Sequence, residues 1–166
     1  TACATGTYQP STGQTSCTDA SAGYYVVSAG SASQTACAAG TYQPATGQTS
    51  CDDADAGYYV PNTGSASQSA CAAGTYQPST GQSSCSDADA GYYVANSGST
   101  SQTACSVGSF QPSTGQNSCL DADSGYYVSS TASASQYACA TGTYQPYSGQ
   151  SSCISADTGQ FVASSG

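Results

Sequence analysis

The chain of 166 residues is a tandem repeat, in which residues 69–102 largely reproduce residues 35–68 and each repeat consists of two related halves. Aligning the first half of a repeat with the second places Gly6 on Gly23 and Tyr8 on Tyr25, which defines a 17-residue period. Repetition at a fixed short period is typical of an array in which each unit contacts mainly its neighbours. The sequence therefore divides into five repeats, which span 1–34, 35–68, 69–102, 103–136 and a shortened 137–166.

The turn signals within each half predict a short β-hairpin. In residues 37–51, an extended stretch with an aromatic residue meets Pro44 and Gly47, which suit a reversal of the chain. Glycines recur too often for a helix of normal length. The predicted fold class is all-β with little regular secondary structure, an elongated, disulfide-stapled tandem repeat of short β-hairpins. Ala132 replaces a turn glycine, so we expect strain of about 1–2 kcal/mol and an irregular turn there.

The ten cysteines occur in alternate halves and always as two residues 14 apart. In the other halves the equivalent positions hold alanine and glutamine, as at Ala54 and Gln68, so both cysteines are lost together. Joint loss is expected of a disulfide, because loss of one partner alone would leave a free thiol. The predicted bridges are Cys3–Cys17, Cys37–Cys51, Cys71–Cys85, Cys105–Cys119 and Cys139–Cys153. Pairing across the longer spacing, as Cys17 with Cys37, is the alternative.

The cysteine content also indicates where the protein resides. An even number of evenly spaced cysteines in a small chain with few large apolar residues implies a disulfide framework and an oxidising, extracellular compartment. The chain begins without methionine or a basic, apolar leader, so we expect an interior or matured part of a longer secreted protein. We therefore expect an extracellular or cell-surface location.

The charged residues exclude several classes of function. The chain has nine Asp and no Glu, Lys, Arg or His, which gives a formal net charge of −9. Without cations it cannot neutralise phosphates, which argues against nucleic-acid partners and anionic membranes. Without His and Lys, general acid–base catalysis lacks its commonest agents, so we predict no enzyme and no catalytic residues. No apolar stretch approaches the roughly 18 residues that span a bilayer, so no membrane insertion is expected.

Aromatic residues fall at one position of the 17-residue period. Two of the ten are Phe, so the hydroxyl is dispensable there, which favours packing between successive units over a sugar-stacking surface. A second tyrosine precedes some of them, as at Tyr24 and Tyr58, and we expect it to be more exposed and to contact other chains or sugars. The predicted aromatic ladder comprises Tyr8, Tyr25, Tyr42, Tyr59, Tyr76, Tyr93, Phe110, Tyr127, Tyr144 and Phe161.

Acidic residues cluster as Asp-Ala-Asp in three of the repeats. Alternate carboxylates ahead of a glycine resemble part of a calcium loop. Each cluster offers two carboxylates and no bidentate Glu, so we favour a solvated acidic turn and predict no metal or other cofactor. The candidates for a calcium site are Asp53, Asp55, Asp87, Asp89, Asp121 and Asp123.

The run C-x-x-G-T-Y-Q-P-S-T-G-Q-T-S-C resembles the extracellular cysteine-rich repeats of the ephrin-receptor-like type. It is also similar to the first module of tumour-necrosis-factor-receptor-like domains, in which the opening cysteine bonds the one after the hairpin. The resemblance implies a disulfide-stapled, elongated extracellular rod. The chain departs from it in alternate halves, where Ala54 and Gln68 replace cysteines. The residues of the third repeat that fit the pattern are Cys71, Gly74, Tyr76, Pro78, Gly81 and Cys85.

Near-identical units with few large apolar residues are suited to repeating a contact with copies of themselves. The sequence therefore predicts a structural subunit of an extracellular, glycosylated filament or surface appendage. Its expected partners are copies of itself and glycans. The alternatives are a cysteine-rich stalk of a cell-surface adhesion or receptor protein, and an ice-binding protein. The candidate sites for covalent O-linked glycans are Ser11, Thr12, Thr46, Ser79, Thr80, Ser113 and Thr114.

Overall fold

The computed structural model of the protein describes residues 1–160. Within these residues, eighteen strands of two residues each pair into nine antiparallel hairpins, and there is no helix. The hairpins recur with the 17-residue period, which confirms the predicted all-β tandem repeat of short, disulfide-stapled hairpins. None of the described residues forms a helix that could cross a membrane.

The first five hairpins are β1 (Thr7–Tyr8) with β2 (Thr18–Asp19), β3 (Tyr24–Tyr25) with β4 (Thr35–Ala36), β5 (Thr41–Tyr42) with β6 (Asp52–Asp53), β7 (Tyr58–Tyr59) with β8 (Ser69–Ala70), and β9 (Thr75–Tyr76) with β10 (Ser86–Asp87). The remaining described hairpins are β11 (Tyr92–Tyr93) with β12 (Thr103–Ala104), β13 (Ser109–Phe110) with β14 (Leu120–Asp121), β15 (Tyr126–Tyr127) with β16 (Tyr137–Ala138), and β17 (Thr143–Tyr144) with β18 (Ile154–Ser155).

The chain folds into two compact units. The first comprises Thr1–Cys71 and Gln77–Cys85, and the second comprises Ala72–Tyr76 and the chain from Ser86 onward.

A tight turn precedes the first strand of each hairpin. The Thr41 backbone N–H donates to the Ala38 carbonyl oxygen at 3.0 Å. Gly40, the third residue of this turn, has φ of 87°. A positive φ at the third position of a turn requires glycine or a similarly permissive residue. Glycine therefore recurs regularly in the sequence because each of these turns requires one.

The segment around Pro44 and Gly47 reverses the chain between the two strands of a hairpin. Gly47 has φ of 70°, as expected for the turn predicted there. After the reversal, Tyr42 lies opposite Asp52 in an antiparallel register. Proline and a glycine with positive φ together confine this loop to a conformation that brings the strands side by side.

The boundaries of the hairpins do not coincide with the boundaries of the sequence repeats 1–34 and 35–68. The strand Thr35–Ala36 completes a hairpin that begins with Tyr24–Tyr25, so the boundary after residue 34 cuts through that hairpin. The structural unit is a 17-residue module that begins at a buried cysteine or alanine. We call those starting at Cys3, Cys37, Cys71, Cys105 and Cys139 cysteine modules, and those starting at Ala20, Ala54, Ala88 and Ala122 alanine modules.

The buried core is narrow and consists mainly of small side chains. The first residue of each module is buried, and Cys37, Ala54 and Ala122 are completely inaccessible to solvent. A second buried position lies further along the module and holds Val in the alanine modules, as at Val60, and Gln in most cysteine modules, as at Gln43. Such a core offers little hydrophobic stabilisation, because the free energy gained on burial is proportional to the apolar area removed from water.

Backbone hydrogen bonds join each module to the next. In the first compact unit, the Gly40 N–H donates to the Val60 carbonyl at 2.8 Å, and the Val60 N–H donates to the Gln82 carbonyl at 3.0 Å. In the second compact unit, the Gly108 N–H donates to the Val128 carbonyl at 2.8 Å. These bonds satisfy backbone groups that the two-residue strands leave unpaired. Neighbouring modules are therefore held by their main chains as well as by their side chains.

In most modules, the glycine that closes the tight turn also lies against a more distant part of the backbone, whereas a methyl group on Gly142 would meet no atom within 4 Å. A methyl group built on Gly40 would lie 2.2 Å from the carbonyl oxygen of Gly81, two modules further along the chain. A methyl group on Gly108 would lie 2.2 Å from the carbonyl oxygen of Gly149. These glycines are required both for their positive φ and for the close approach of another main chain.

Ala132 adopts the positive φ that the sequence predicts, at 57°, and is the one non-glycine residue of the described chain to do so. Its turn nevertheless keeps the interaction made by its glycine counterparts. The Ala132 N–H donates to the Cys105 carbonyl at 2.9 Å, as the Gly149 N–H does to the Ala122 carbonyl at 2.7 Å. The strained φ is therefore present, but the expectation of an irregular turn is wrong, because this hydrogen bond holds the backbone in place.

Candidate functional site

Five disulfides staple the cysteine modules, each joining cysteines 14 residues apart. The pairs are those predicted from the joint loss of cysteines, and the alternative pairing of Cys17 with Cys37 is wrong. The Cα atoms within the pairs are 5.7–5.8 Å apart, and no cysteine of the described chain is free. Such a framework indicates an oxidising environment, extracellular or secreted.

A glutamine replaces the disulfide in the alanine modules. Gln68, at the position of the second cysteine, accepts a hydrogen bond on Oε1 from the Asp55 backbone N–H at 2.7 Å. Its Nε2 donates to Asp55 Oδ2 at 2.6 Å. We call this two-bond arrangement the glutamine clamp. It recurs with Gln102 on Asp89 and Gln136 on Asp123, and Gln34 makes the equivalent bonds to Ser21.

The glutamine clamp was not predicted from the sequence. The signal was available, since glutamine stands at the second cysteine position of every complete alanine module, at a constant spacing after an Asp or Ser. Two hydrogen bonds, one of them to a carboxylate, can close a loop of this length without a covalent bond. The clamp therefore acts together with main-chain hydrogen bonds in the modules from which the cysteines are missing.

A different glutamine braces the loop of the cysteine modules. The Gln43 side chain is only 6% exposed. Its Nε2 donates to the Ser50 carbonyl at 3.0 Å, and its Oε1 accepts the Ala45 backbone N–H at 3.0 Å. Each such glutamine satisfies main-chain groups on both arms of the loop, which compensates for burying a polar side chain. Val60 occupies the equivalent position in the next alanine module.

The paired aspartates of each acidic cluster have separate structural partners. The Asp53 carboxylate lies against Gly81, whereas Asp55 is held by Gln68. In residues 1–160, no group of three or more His, Cys, Asp or Glu side chains is placed to hold a metal ion. The structure therefore adds no further carboxylate to the two that each cluster offers from the sequence.

Most of the ladder aromatics are half-buried side chains in the first strand of each hairpin; Tyr144 is exposed, and Phe161 lies outside the described residues. In the described part of the chain, one pair of aromatic rings is in contact, Tyr127 with Tyr137, whose centroids are 6.0 Å apart. These two residues face each other across one hairpin. The contact thus lies within a hairpin and does not join successive members of the ladder.

The second tyrosines are half-buried, in the same range of exposure as most of the ladder tyrosines. Tyr24 shows the reason, because its ring and hydroxyl lie against Gly64, in a later alanine module of the same chain. A methyl group on Gly64 would lie 3.3 Å from Tyr24 Oη. At this position the tyrosine packs against its own chain.

The predicted glycosylation sites lie on the loops that follow the first strand of cysteine modules, and all seven residues are exposed. Open grooves on the second compact unit are lined in part by similar small polar side chains. One of about 480 Å³ in the second compact unit is bordered by Tyr93, Thr103 and Ser106. These groups offer hydrogen bonds and one aromatic face.

No protein-family model matches the chain. No curated protein matches it either.

Proposed function

We propose that the protein is a structural subunit of an extracellular filament or surface appendage, without enzymatic activity, and that it assembles through its near-identical modules. The observation that carries this proposal is the recurrence of one backbone hydrogen bond. It joins Gly23 to Gln43 at 2.8 Å in the first compact unit and Gly91 to Gln111 at 2.7 Å in the second. A module in a second copy that presents the same carbonyl can accept the same bond. Head-to-tail contacts of this kind generate open filaments when they do not close into a ring.

The stabilising elements of the modules also suit a material rather than a catalyst. Disulfides, glutamine clamps and main-chain hydrogen bonds hold the protein together, and the chain contains no Lys, Arg or His. The resemblance to ephrin-receptor-like repeats supports an extracellular setting. Exposed Ser and Thr hydroxyls, such as those of Ser79 and Thr80, support O-glycosylation. A glycan coat would keep a protein without charge pairs hydrated.

Electron microscopy of the native protein tests assembly. We expect fibres whose axial spacing is commensurate with one module or with a pair of modules. Reduction under native conditions should dissolve them, because the cysteine modules then lose their covalent closure. Single particles of uniform size at every concentration would overturn the filament and favour the cell-surface stalk.

Intact-mass analysis before and after deglycosylation tests the glycan coat. We expect excess hexose mass on the native protein. A variant with alanine at the seven candidate positions, expressed in a host that O-glycosylates secreted proteins, should lose most of that mass. As a matched control, alanine substitutions of Thr7 and Thr41, whose hydroxyls donate to backbone carbonyls at 2.8 and 2.9 Å, should leave the added mass unchanged.

A further inference from the structure

Tyr127 and Tyr137 form the one aromatic pair of the described chain, and they are cross-strand neighbours in the hairpin β15–β16. Their ring centroids are 6.0 Å apart, and the ring planes are inclined by 42°. Tyr137 is 56% exposed, whereas Tyr127 is half-buried. In the other complete alanine modules the partner of the ladder tyrosine is small and polar, namely Thr35, Ser69 or Thr103.

The pair lies in a module that has no disulfide. The two cysteine positions of this module hold Ala122 and Gln136, and Gln136 holds Asp123 through the glutamine clamp. Tyr137 directly follows Gln136. A covalent bond between the two tyrosines would therefore close the hairpin beside the position where a cysteine module has its disulfide.

We propose that Tyr127 and Tyr137 are a site of oxidative cross-linking, at which a peroxidase-type oxidant that consumes hydrogen peroxide forms a dityrosine bond. Each phenol gives up one electron and its hydroxyl proton, which yields two phenoxyl radicals. The radicals join through a carbon–carbon bond between ring positions ortho to the oxygens. Each ring then transfers its ortho hydrogen to its own oxygen as a proton, which restores both phenols. The two electrons and two protons removed reduce one hydrogen peroxide to two waters.

The placement of the two rings favours this reaction over coupling between molecules. The hairpin register fixes the rings next to each other, so the second radical is supplied within the chain and at a high effective concentration. The exposed ring of Tyr137 is accessible to the oxidant. Tyr147, at 69% exposure, is accessible too, but the described chain places no ring against it, so it couples only when molecules collide.

The test uses the full chain, dilute, with peroxidase and hydrogen peroxide. We expect dityrosine fluorescence, a monomer mass reduced by two hydrogen atoms, and a proteolytic fragment that joins the peptides of Tyr127 and Tyr137. The yield per molecule should not change over a tenfold dilution, because effective concentrations within a molecule far exceed those in solution.

Tyr137→Phe keeps the ring and its packing but removes the phenol, so it should abolish the monomeric cross-link without unfolding the hairpin. Tyr147→Phe is the matched control and should leave the yield unchanged. Undiminished fluorescence in the monomer of Tyr137→Phe would overturn the proposal. So would cross-links that map to other tyrosines, or that appear only in covalent dimers.

Discussion

The side chain of Gln68 holds Asp55 by two hydrogen bonds, one from the Asp55 backbone N–H at 2.7 Å and one to its carboxylate at 2.6 Å. Gln68 occupies the position of Cys51 in the preceding cysteine module. A disulfide stabilises a fold largely by restricting the unfolded chain, whereas this clamp acts only in the folded state. Alternate modules thus achieve the same loop closure by different physical means.

Replacing Gln68 with alanine should release Asp55. Because Asp55 is exposed, water can replace part of the two lost hydrogen bonds. We therefore expect the free energy of local opening at Asp55 to fall by about 1 kcal/mol. Hydrogen exchange of the Asp55 amide should then quicken roughly fivefold. Gln82→Ala is the control, since the Gln82 side chain bonds only the Thr80 carbonyl of its own turn. Equal quickening at Asp55 in both variants would contradict the clamp.

The double substitution Ala54→Cys and Gln68→Cys should convert an alanine module into a cysteine module. Ala54 is completely buried, like Cys37 at the start of the preceding module, so the new side chain occupies an equivalent position. We expect a sixth disulfide and a gain of about 2 kcal/mol, after the loss of the clamp is subtracted from the roughly 3 kcal/mol of loop closure. Intact mass after alkylation, with and without reduction, and thermal unfolding check this. Gln68→Cys alone should give a free thiol and lower stability.

The features predicted from the sequence are those governed by short stretches of chain. The hairpin at residues 37–51 depends on Pro44, Gly47 and the flanking cysteines, all of which lie close together in the sequence. The positive φ at Ala132 follows from its alignment with turn glycines. Turn chemistry and disulfide pairing within a module therefore could be predicted without knowledge of the tertiary structure.

The features that were missed depend on contacts between distant modules or on generic polar residues. The packing of Tyr24 against Gly64 could not be predicted, because nothing near Tyr24 in the sequence indicates a glycine two modules further along the chain. Gln68 resembles any solvated glutamine until the fold brings Asp55 within hydrogen-bond distance. The close approach of the Gly81 carbonyl to Gly40 could not be predicted either, because the positive φ of the turn is already a sufficient reason for a glycine at position 40.

Ala132→Gly should stabilise the second compact unit. Removing the strain of a left-handed alanine should raise the free energy of unfolding by about 1–2 kcal/mol. The greater conformational freedom of glycine in the unfolded chain should lower it again by about 0.5–1 kcal/mol. The expected net gain is therefore about 0.5–1 kcal/mol, measured by urea unfolding. Gly13→Ala is the reverse experiment, because Gly13 has φ of 77° and a methyl group there meets no atom within 4 Å. It should lower stability, and a gain in Gly13→Ala would show that the strain argument is wrong.

Gly108→Ala should be far more harmful than Gly142→Ala, although the two glycines have nearly the same φ, 83° and 85°. Both variants carry the strain of a left-handed alanine, about 1–2 kcal/mol. Only the methyl group at position 108 collides with a main chain, 2.2 Å from the Gly149 carbonyl oxygen, whereas that at position 142 meets no atom within 4 Å. A rigid backbone cannot move aside as a side chain can, so the collision should add about 1–3 kcal/mol or more. Urea unfolding of the two variants separates the strain from the collision. Equal losses of stability would show that the glycines serve only their turns. A larger loss at position 108 would show that close main-chain packing between modules is a major source of stability.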